Sequence, residues 1–433
     1  MKFQTEKHLK DFEKDKFGYF TLSKNILDNV LLEMELPNCF GLYGNWGSGK
    51  STMLHYLIKH IEDDVEKKYQ RISTVYFETW KYEYTDEKSL LFALLKNIQN
   101  QCGLSDKKIW KKLLIDLSVI TAGVARKFPV TSNIIETGKA ATEDFNFLEK
   151  KMYSEYEIWI DKIEGFKKEF ENIIKKALKK SDSEKLVIFI DDLDRCLPEN
   201  SVKLLEAIKN FLSVDNTLFV LAIDRRIISE MIDKKYGLHY AYGDEYLSKI
   251  IHYYFELPTV NLKGVINDIL SVHSINYTEE QEKYFLNFLK NQAKEPRRAK
   301  QILHQFGMVI SLSKELQREI SEDQTNLNLE YIFVASFLLN KFPHIFLNDE
   351  PTILLRRLLD YAVASTNNAH SSYEQELNKA INALGSFNAV DRDKIKSILV
   401  QHPIRTGREA SAPRYIENMV KLGKYIDYIR LHL

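Results

Sequence analysis

Short apolar runs bounded by turn-forming residues recur through the first 260 residues and alternate with helical patterns. The runs are nearly all apolar, as expected for strands that are buried on both faces of a parallel sheet. Helical periodicity separates them, for example at residues 51–62 and 201–212. Alternating strands and helices predict an α/β domain with a mainly parallel, doubly covered sheet. The five predicted strands are residues 39–43, 72–77, 186–190, 217–223 and 254–257.

A long helical insertion is predicted at about residues 88–180, between the second and third strands. In its second half, apolar residues recur at spacings of three and four, which is typical of a coiled-coil seam. Two interpretations stay open: one helix that lies along its own domain, or a lever or dimerisation seam. Gly165 costs about 1 kcal/mol relative to alanine inside this pattern, so it permits a bend. The seam consists of Phe145, Leu148, Met152, Tyr156, Trp159, Ile163, Phe166, Phe170, Ile173 and Ala177.

From Asn261 onward the periodicity is helical, and the sequence contains no convincing strand pattern. Residues 331–339 and 353–363 are predicted to be packed helices, and residues 365–372 a loop. At 433 residues the chain is too long for one ordinary core. We therefore predict a sheet-containing domain at residues 1–260 and an all-helical region of one or more domains at residues 261–433.

Composition narrows the class of protein. Hydrophobic residues make up 44% of the chain, and 61 basic residues balance 61 acidic ones. Proteins that bind long nucleic acids usually carry a basic surplus, so this balance disfavours that class. The three cysteines, Cys39, Cys102 and Cys196, are far apart and form no CxxC pair. We expect neither a disulfide framework nor a zinc ribbon, and we expect a cytoplasmic protein.

The sequence does not predict membrane attachment. Residues 1–16 are charged throughout and do not resemble a signal peptide. The best candidate for a membrane span, residues 113–125, is short and contains Asp116, whereas a crossing needs about 20 apolar residues. We predict a buried or interfacial helix there, and no membrane span.

The strongest candidate site begins at residue 44, where GNWGSGKS matches the GxxxxGK[ST] pattern between a predicted strand and a predicted helix. Glycines let backbone N–H groups surround a polyphosphate, and the following helix directs its positive dipole end toward it. Lys50 is expected to reach the β- and γ-phosphates, and the Ser51 hydroxyl to bind Mg²⁺. ATP is the expected nucleotide, because no guanine-specific NKxD motif is evident. The predicted nucleotide-binding residues are Gly44, Asn45, Trp46, Gly47, Ser48, Gly49, Lys50, Ser51 and Thr52.

Three carboxylates follow the third predicted strand. A buried strand that ends in acidic residues delivers them to the carboxyl edge of the sheet, where ligands bind. Asp191 is expected to hold Mg²⁺ directly or through another ligand of the ion, the Walker B role. Asp192 or Asp194 is expected to orient or deprotonate the attacking water. The alternative for Asp192 and Asp194 is a structural capping cluster before the next helix.

Further polar residues are candidates for sensing the nucleotide. Asp224 ends the fourth predicted strand and is placed to contact the γ-phosphate or the water; its alternative is the N-cap of the next helix. Arg297 and Arg298 lie at a predicted helix start, and a planar guanidinium suits phosphate oxygens. They are either sensors that couple domain closure to the nucleotide or a solvated basic helix start. Arg195 is either a finger for a neighbouring subunit or an ion-pair partner of the adjacent acids.

Together these segments resemble the KAP family of P-loop NTPases. The resemblance lies in GNWGSGKS from residue 44, FETWKY from residue 77, IDDLDRC from residue 190, LLEAIK from residue 204 and YLSKII from residue 246. Residues 296–298 are similar to the family's arginine motif, and the similarity extends from about residue 15 to 310. The resemblance implies an additional-strand P-loop fold, with a strand between the P-loop strand and the Walker B strand. Many relatives have transmembrane helices between the Walker motifs, and this chain departs from that pattern.

The resemblance also implies Mg²⁺-dependent NTP hydrolysis by a switch or assembly motor, and soluble bacterial members resemble components of anti-phage defence. We therefore expect an ATPase that acts on a protein partner and forms homo-oligomers. One alternative is a nucleic-acid-dependent ATPase of the loader type. That alternative is suggested by the sensor-like arginines and by Arg405, Arg408 and Arg414. Another is a nucleotide-locked scaffold with little turnover.

Overall fold

The computed structural model describes most of the sheet-containing part of the chain and four helices of the remainder. The described residues are 15, 18–64, 68–82, 89–104, 110–113, 115–117, 142–237, 242–258, 262–293, 295–312, 328–343, 391, 394, 398, 423, 425, 426, 429 and 430. Contacts between Cα atoms divide the chain into two compact units, one spanning residues 7–258 and one containing residues 259–433. The domain boundary at residue 260 stays a prediction.

A five-stranded parallel sheet forms the centre of the first unit and confirms the predicted fold class. The strands are β1 (Asn38–Tyr43), β2 (Ile72–Glu78), β3 (Lys185–Asp191), β4 (Thr217–Ile223) and β5 (Tyr253–Glu256). Every boundary lies within one residue of its predicted position. The strand order is β2-β3-β4-β1-β5. Because β4 pairs with both β1 and β3, it is the additional strand that the family resemblance implies.

Helices connect these strands, and short 3₁₀ or π-helical turns follow two of the strands and two of the helices. The helices are α1 (Tyr19–Ile26), α2 (Lys50–Glu62), α3 (Ser89–Gln101), α4 (Thr142–Ser181), α5 (Pro198–Ala207), α6 (Arg225–Tyr236) and α7 (Tyr242–Ser248). The predicted helix at residues 201–212 is α5 followed by a π-helical turn, Ile208–Leu212. Single 3₁₀ turns, Thr79–Tyr82 and Leu193–Arg195, follow β2 and β3.

Both faces of the sheet are buried at its three central strands, β3, β4 and β1. Successive residues of a strand point to opposite sides, so each of these strands contributes to two cores. On β4, Phe219 and Leu221 belong to a core shared with residues of α3 to α7. On the opposite face of the same strand, Leu218 and Val220 are also fully buried. Helix α2 packs on the sheet through contacts with β2, β3 and β4. The strands β1, β3 and β4 therefore have the double cover that the sequence predicted. The prediction was wrong for β5, whose Tyr253 and Tyr254 are exposed, because this strand lies at the edge of the sheet. The other edge strand, β2, is partly buried.

The insertion contains one continuous helix, α4, of 40 residues. Its seam residues Phe166, Phe170, Ile173 and Ala177 are buried, and all but Ala177 belong to the core shared with the sheet. The second half of the seam thus lies along its own domain, as the first of the two interpretations states. The helix continues through Gly165. Side chains of the seam before residue 160 lie outside the description.

The segment proposed as a buried or interfacial helix is described for part of its length. Leu113 and Leu117 are buried in the core of the first unit. Asp116, only 2% exposed, pairs with Lys162 of α4 at 2.7 Å. These contacts confirm a buried helical segment, and residues 118–125 lie outside the described part of the chain. Among the described residues, no helix has the length and apolar character needed to cross a membrane.

The second unit consists of helices wherever the structure describes regular elements in it. They are α8 (Leu262–Val272), α9 (Glu279–Gln292), α10 (Pro296–Leu312) and α11 (Asn328–Lys341). The ring of Phe333 from α11 lies 4.8 Å from Phe285 and 5.2 Å from Phe306, so aromatic packing joins three of these helices. Helix α11 contains the predicted helix at residues 331–339. The predictions for residues 353–363 and 365–372 fall outside the described residues.

Gly307 of α10 provides a test of this packing. A Cβ on Gly307 would lie 2.2 Å from Cδ2 of the buried His273 ring, so Gly307→Ala should lower the free energy of unfolding by about 1–3 kcal/mol. Gly165 is the matched control, because a Cβ there meets nothing within 4 Å beyond its own helix. Gly165→Ala should stabilise by about 0.5–1 kcal/mol through helix propensity. Urea unfolding of the full chain measures both, and shifts of the same sign would contradict this packing.

Candidate nucleotide-binding site

The loop between β1 and α2 is compact, and its glycines are required by close contacts. Gly47 and Gly49 have φ angles of 85° and 101°, in the region that favours glycine. A Cβ on Gly44 would lie 2.5 Å from the Oγ of Ser48, and one on Gly49 would lie 2.5 Å from the ring of Tyr19. The loop is also closed by a hydrogen bond from the Ser48 amide to the Asn45 carbonyl, at 3.1 Å. The glycine pattern therefore encodes a tight turn that leads directly into α2.

Lys50 is a buried cation surrounded by oxygen atoms. Its side chain is 8% exposed, and its amine donates to the carbonyl oxygens of Gly44 at 2.8 Å and Asn45 at 3.4 Å. The third partner is Asp194, whose Oδ2 lies 3.3 Å from the amine. Lys50 begins α2, so the helix start and the lysine face the same region. The amine is thus held in the loop by groups that a phosphate oxygen is able to replace.

Asp194 and Asp224 come from neighbouring strands and contact each other. The backbone N–H of Asp224 donates to Oδ2 of Asp194 at 2.9 Å, the same oxygen that faces Lys50. Asp224 is also the N-cap of α6, because its Oδ1 accepts from the backbone N–H of Arg226 at 3.1 Å. The N-cap alternative for Asp224 therefore describes its observed contacts, and its role as a sensor stays a prediction. Asp194 joins the ends of β3, β4 and the P-loop.

Arg226 is a residue of this site that sequence reasoning missed. Its Nη2 donates to Oδ1 of Asn45 in the P-loop at 2.9 Å and lies 3.5 Å from Oδ2 of Asp224. The available signal was its position two residues after the acid that ends β4, which places it in the first turn of α6. A basic residue at that point faces the same sheet edge as the P-loop.

Asp191 is the last residue of β3 and is held from the neighbouring strand β2. The Tyr76 hydroxyl donates to its Oδ2 at 2.9 Å, and the Thr79 hydroxyl donates to its backbone carbonyl at 2.7 Å. Its Oδ1 accepts from the backbone N–H of Asp192 at 2.9 Å. Burial, and then the charge of Asp191, raise the pKa of Tyr76, so this hydroxyl stays protonated as a donor. Asp191 is 1% exposed and is fixed at the carboxyl edge of the sheet.

Asp192 adopts a left-handed conformation, with φ of 60°, and pairs with Arg195 at 2.7 Å. Burial raises the pKa of Asp192 to about 6; the charge of Asp191 adds to this and Arg195 opposes it. The Arg195 guanidinium also lies over the ring of Trp80, 5.7 Å from the centroid. The ion-pair interpretation of Arg195 therefore describes its observed contacts.

Tyr19 of α1 packs against the P-loop, and sequence reasoning also missed it. Its hydroxyl donates to the carbonyl of Ser48 at 2.7 Å, and its ring fills the space beside Gly49. Burial, and then the charge of Asp15, raise the pKa of Tyr19 to about 12, so the hydroxyl is a proton donor at neutral pH. A tyrosine before the first strand carries no local motif, which explains why the pattern alone did not identify it.

The remaining predicted residues are placed as follows. Trp46 lies at the outer side of the P-loop and is 60% exposed. Thr52 is the third residue of α2 and is partly exposed. Arg297 and Arg298 lie in the first turn of α10, in the second unit, and Arg298 contacts Gln301 at 3.4 Å. Their sensor role stays a prediction.

The residues present fit a nucleoside triphosphate and Mg²⁺. The Ser48 hydroxyl oxygen is buried and has no hydrogen-bond partner within the described part of the chain. Gly49 precedes α2 and has no side chain to cap it. Helix N–H groups that lack an internal partner attract anions. Ser51 in the first turn of α2 and Asp191 at the end of β3 offer the hydroxyl and carboxylate oxygens that Mg²⁺ prefers.

Sequence comparison identifies relatives of the chain. The profile of the KAP family P-loop domain matches residues 20–331. The Phage T7 exclusion protein of Escherichia coli (strain K12) is 24% identical over 262 residues, which are 58% of this chain and 34% of that protein. The chain therefore spans about a third of the length of this curated relative.

Structure comparison finds distant similarity to solved structures. The Aeropyrum pernix ORC2 protein, in its ADPNP-ADP complexes, has a TM-score of 0.33 at 13% identity, over 94% of this chain and 93% of that chain. Drosophila ORC bound to DNA has a TM-score of 0.31 at 16% identity, over 92% of this chain and 83% of that chain. At these TM-scores the likeness carries no functional conclusion.

The contact between Tyr19 and the P-loop leads to a test. Tyr19→Phe removes only the hydroxyl that holds the Ser48 carbonyl. A lost hydrogen bond of about 0.5–1.5 kcal/mol should weaken nucleotide binding by roughly two- to tenfold. Tyr236→Phe is the matched control, because its hydroxyl contacts Glu206 instead, and it should bind like the parent. Titration with a fluorescent ATP analogue measures both, and equal affinities for the two variants would contradict a supporting role of Tyr19.

Proposed function

Because this chain belongs to the KAP family of P-loop NTPases, we propose that it is an Mg²⁺-dependent ATPase that acts as a regulatory or assembly switch on a partner protein. The observation that carries the proposal is the convergence of Lys50, Asp194 and Asp224 at the ends of three neighbouring strands. A buried cation among exchangeable oxygen partners is suited to recognising a phosphate group. The adjacent carboxylates supply negatively charged oxygens of the kind that hold Mg²⁺ and position the nucleophile in phosphoryl transfer.

Each residue has a specific role in this proposal. The backbone and side chains from Gly44 to Thr52 bind the phosphates, and Lys50 contacts the β- and γ-phosphates. Mg²⁺, when bound, neutralises charge on the phosphate oxygens. Ser51 and Asp191 would hold the ion, and the fixed orientation of Asp191 by Tyr76 favours a constant geometry.

The attacking water requires an acceptor, and the contacts favour Asp192 over Asp194. Oδ2 of Asp194 is engaged by the amine of Lys50 and by the N–H of Asp224. Asp192 is paired through Oδ1 with Arg195, a partly exposed residue in the same turn. We therefore assign the orientation of the water to Asp192 and the pairing of the lysine to Asp194. Asp224, Arg297 and Arg298 are proposed to respond to the γ-phosphate.

We propose that the protein acts in the cytoplasm as a component of anti-phage defence. The supporting observations are similarity to a phage exclusion protein and three cysteines that form no disulfide with one another, which suits a reducing compartment. We propose a homo-oligomer and a protein partner, because a long helical insertion and a helical second unit accompany the NTPase core. Both elements are large enough to present surfaces to other proteins.

ATP turnover of matched lysine variants tests the proposed activity. Lys50→Ala should lower turnover by about 100-fold or more, because a preorganised cation at the phosphates is lost. Lys59→Ala is the control, since Lys59 belongs to the same helix but pairs with Asp63 at its other end. Asp191→Asn should also lower turnover strongly, while it weakens ATP binding less than Lys50→Ala does. Equal turnover in all four proteins would exclude catalysis at this site.

DNA and RNA are not expected to stimulate the ATPase. The chain has no basic surplus, and binding to long nucleic acids relies on released counterions. The measurement is ATP turnover with and without single- and double-stranded DNA and RNA, at low and at physiological salt. Stimulation that falls steeply with salt would favour the loader-type alternative over a protein partner.

A further inference from the structure

Five residues at the carboxyl edge of the sheet form a closed ring of polar contacts. The Lys50 amine contacts Asp194 at 3.3 Å, and Asp194 accepts from the backbone N–H of Asp224 at 2.9 Å. Asp224 caps the N–H of Arg226 at 3.1 Å, and Arg226 donates to the Asn45 side chain at 2.9 Å. The Asn45 carbonyl completes the ring at 3.4 Å from the Lys50 amine. We call these five residues the P-loop ring.

The P-loop ring joins three adjacent strands. Asn45 and Lys50 follow β1, Asp194 follows β3, and the other two residues follow β4, which lies between those strands. Each of the five contacts includes a charged side chain, and the Asp194 side chain is only 3% exposed. A buried carboxylate without partners is costly. Withdrawal of Lys50 toward a phosphate therefore changes the environment of Asp194 and, through it, the cap of α6.

Arg226 and Asn45 are the exposed members of this ring, and the side chain of Arg226 is 73% exposed. It makes two side-chain contacts at once, with Asn45 in the P-loop and with Asp224 at the start of its own helix. The planar guanidinium allows this double contact, which an ammonium group provides less well. The preceding residue, Arg225, points elsewhere: it binds Asp244 at 3.0 Å and lies over two tyrosine rings.

We propose that Arg226 is a positioning residue for the P-loop, and that it makes the conformation of the loop and the start of α6 depend on each other. This proposal rests on the proposed nucleotide-binding function of the same loop. Arg226 acts through Asn45, because it follows β4 and contacts this residue of the loop. On the other side, Asp194 follows β3 and contacts Lys50. The loop backbone is therefore preorganised before the nucleotide binds. Binding of the nucleotide changes the contacts at the start of α6.

A double-mutant cycle on the full chain tests this contact with Mg²⁺ and ATP. Arg226→Ala and Asn45→Ala should each weaken ATP binding by about two- to fivefold, the range for an exposed charged contact. The double variant should bind no more weakly than the weaker single variant, because both substitutions remove one interaction. In turnover assays KM should rise while kcat stays unchanged, since loop positioning acts on bound substrate and transition state alike. Arg226→Lys should restore part of the affinity.

Arg71→Ala is the matched control for loss of an exposed arginine. Its side chain is also 73% exposed, but it pairs with Glu184 at the amino ends of β2 and β3. This variant should bind ATP like the parent. Parental affinity for Arg226→Ala, additive effects in the double variant, or a fall in kcat alone would overturn the proposal. If Lys50→Ala also binds ATP like the parent, the proposed function itself fails, so the two failures are distinguishable.

Discussion

The structure depends on the burial of one positive charge. The ammonium group of Lys50 lies almost out of contact with water, where an ion without partners would be strongly destabilising. Three oxygens compensate it, two from the loop backbone and one from a carboxylate on another strand. The loop, the strand order and the acids after β3 are therefore parts of one electrostatic arrangement. Loss of any of these three oxygens would leave the buried ammonium group with fewer compensating partners.

The same arrangement explains why the acidic residues after β3 have different contacts. Asp194 balances the lysine, whereas Asp191 is oriented by groups from β2. The Thr79 hydroxyl donates to the Asp191 backbone carbonyl at the end of β3. The FETWKY segment, which begins in β2, therefore supports Asp191 rather than the P-loop. Asp192, in a left-handed conformation, turns the chain away from the strand toward the next helix. Adjacent residues thus have different surroundings and different chemistry.

The fold was predictable from the sequence because its signals are local. Five apolar runs of strand length, with helical periods between them, define the sheet to within one residue, and the glycine-lysine pattern identifies the loop. Family resemblance supplied the strand order, which hydrophobic periodicity alone does not determine. Tyr19, Tyr76 and Arg226 escaped prediction because their roles arise from contacts over 29, 115 and 181 residues of sequence. Such contacts exist only after the strands have assembled.

The exposure of Trp46 gives the loop an optical property. Its indole ring is 60% exposed on the P-loop, whereas Trp110 is buried in the core. Indole emission depends on the polarity and motion of its surroundings, so an event that reorders the loop changes the fluorescence of this side chain. Trp80, which is also exposed and lies over Arg195, contributes to the background, so its removal would reduce that emission. The protein thus contains a fluorophore on the loop proposed to bind the nucleotide, and loop motion is observable without any attached label.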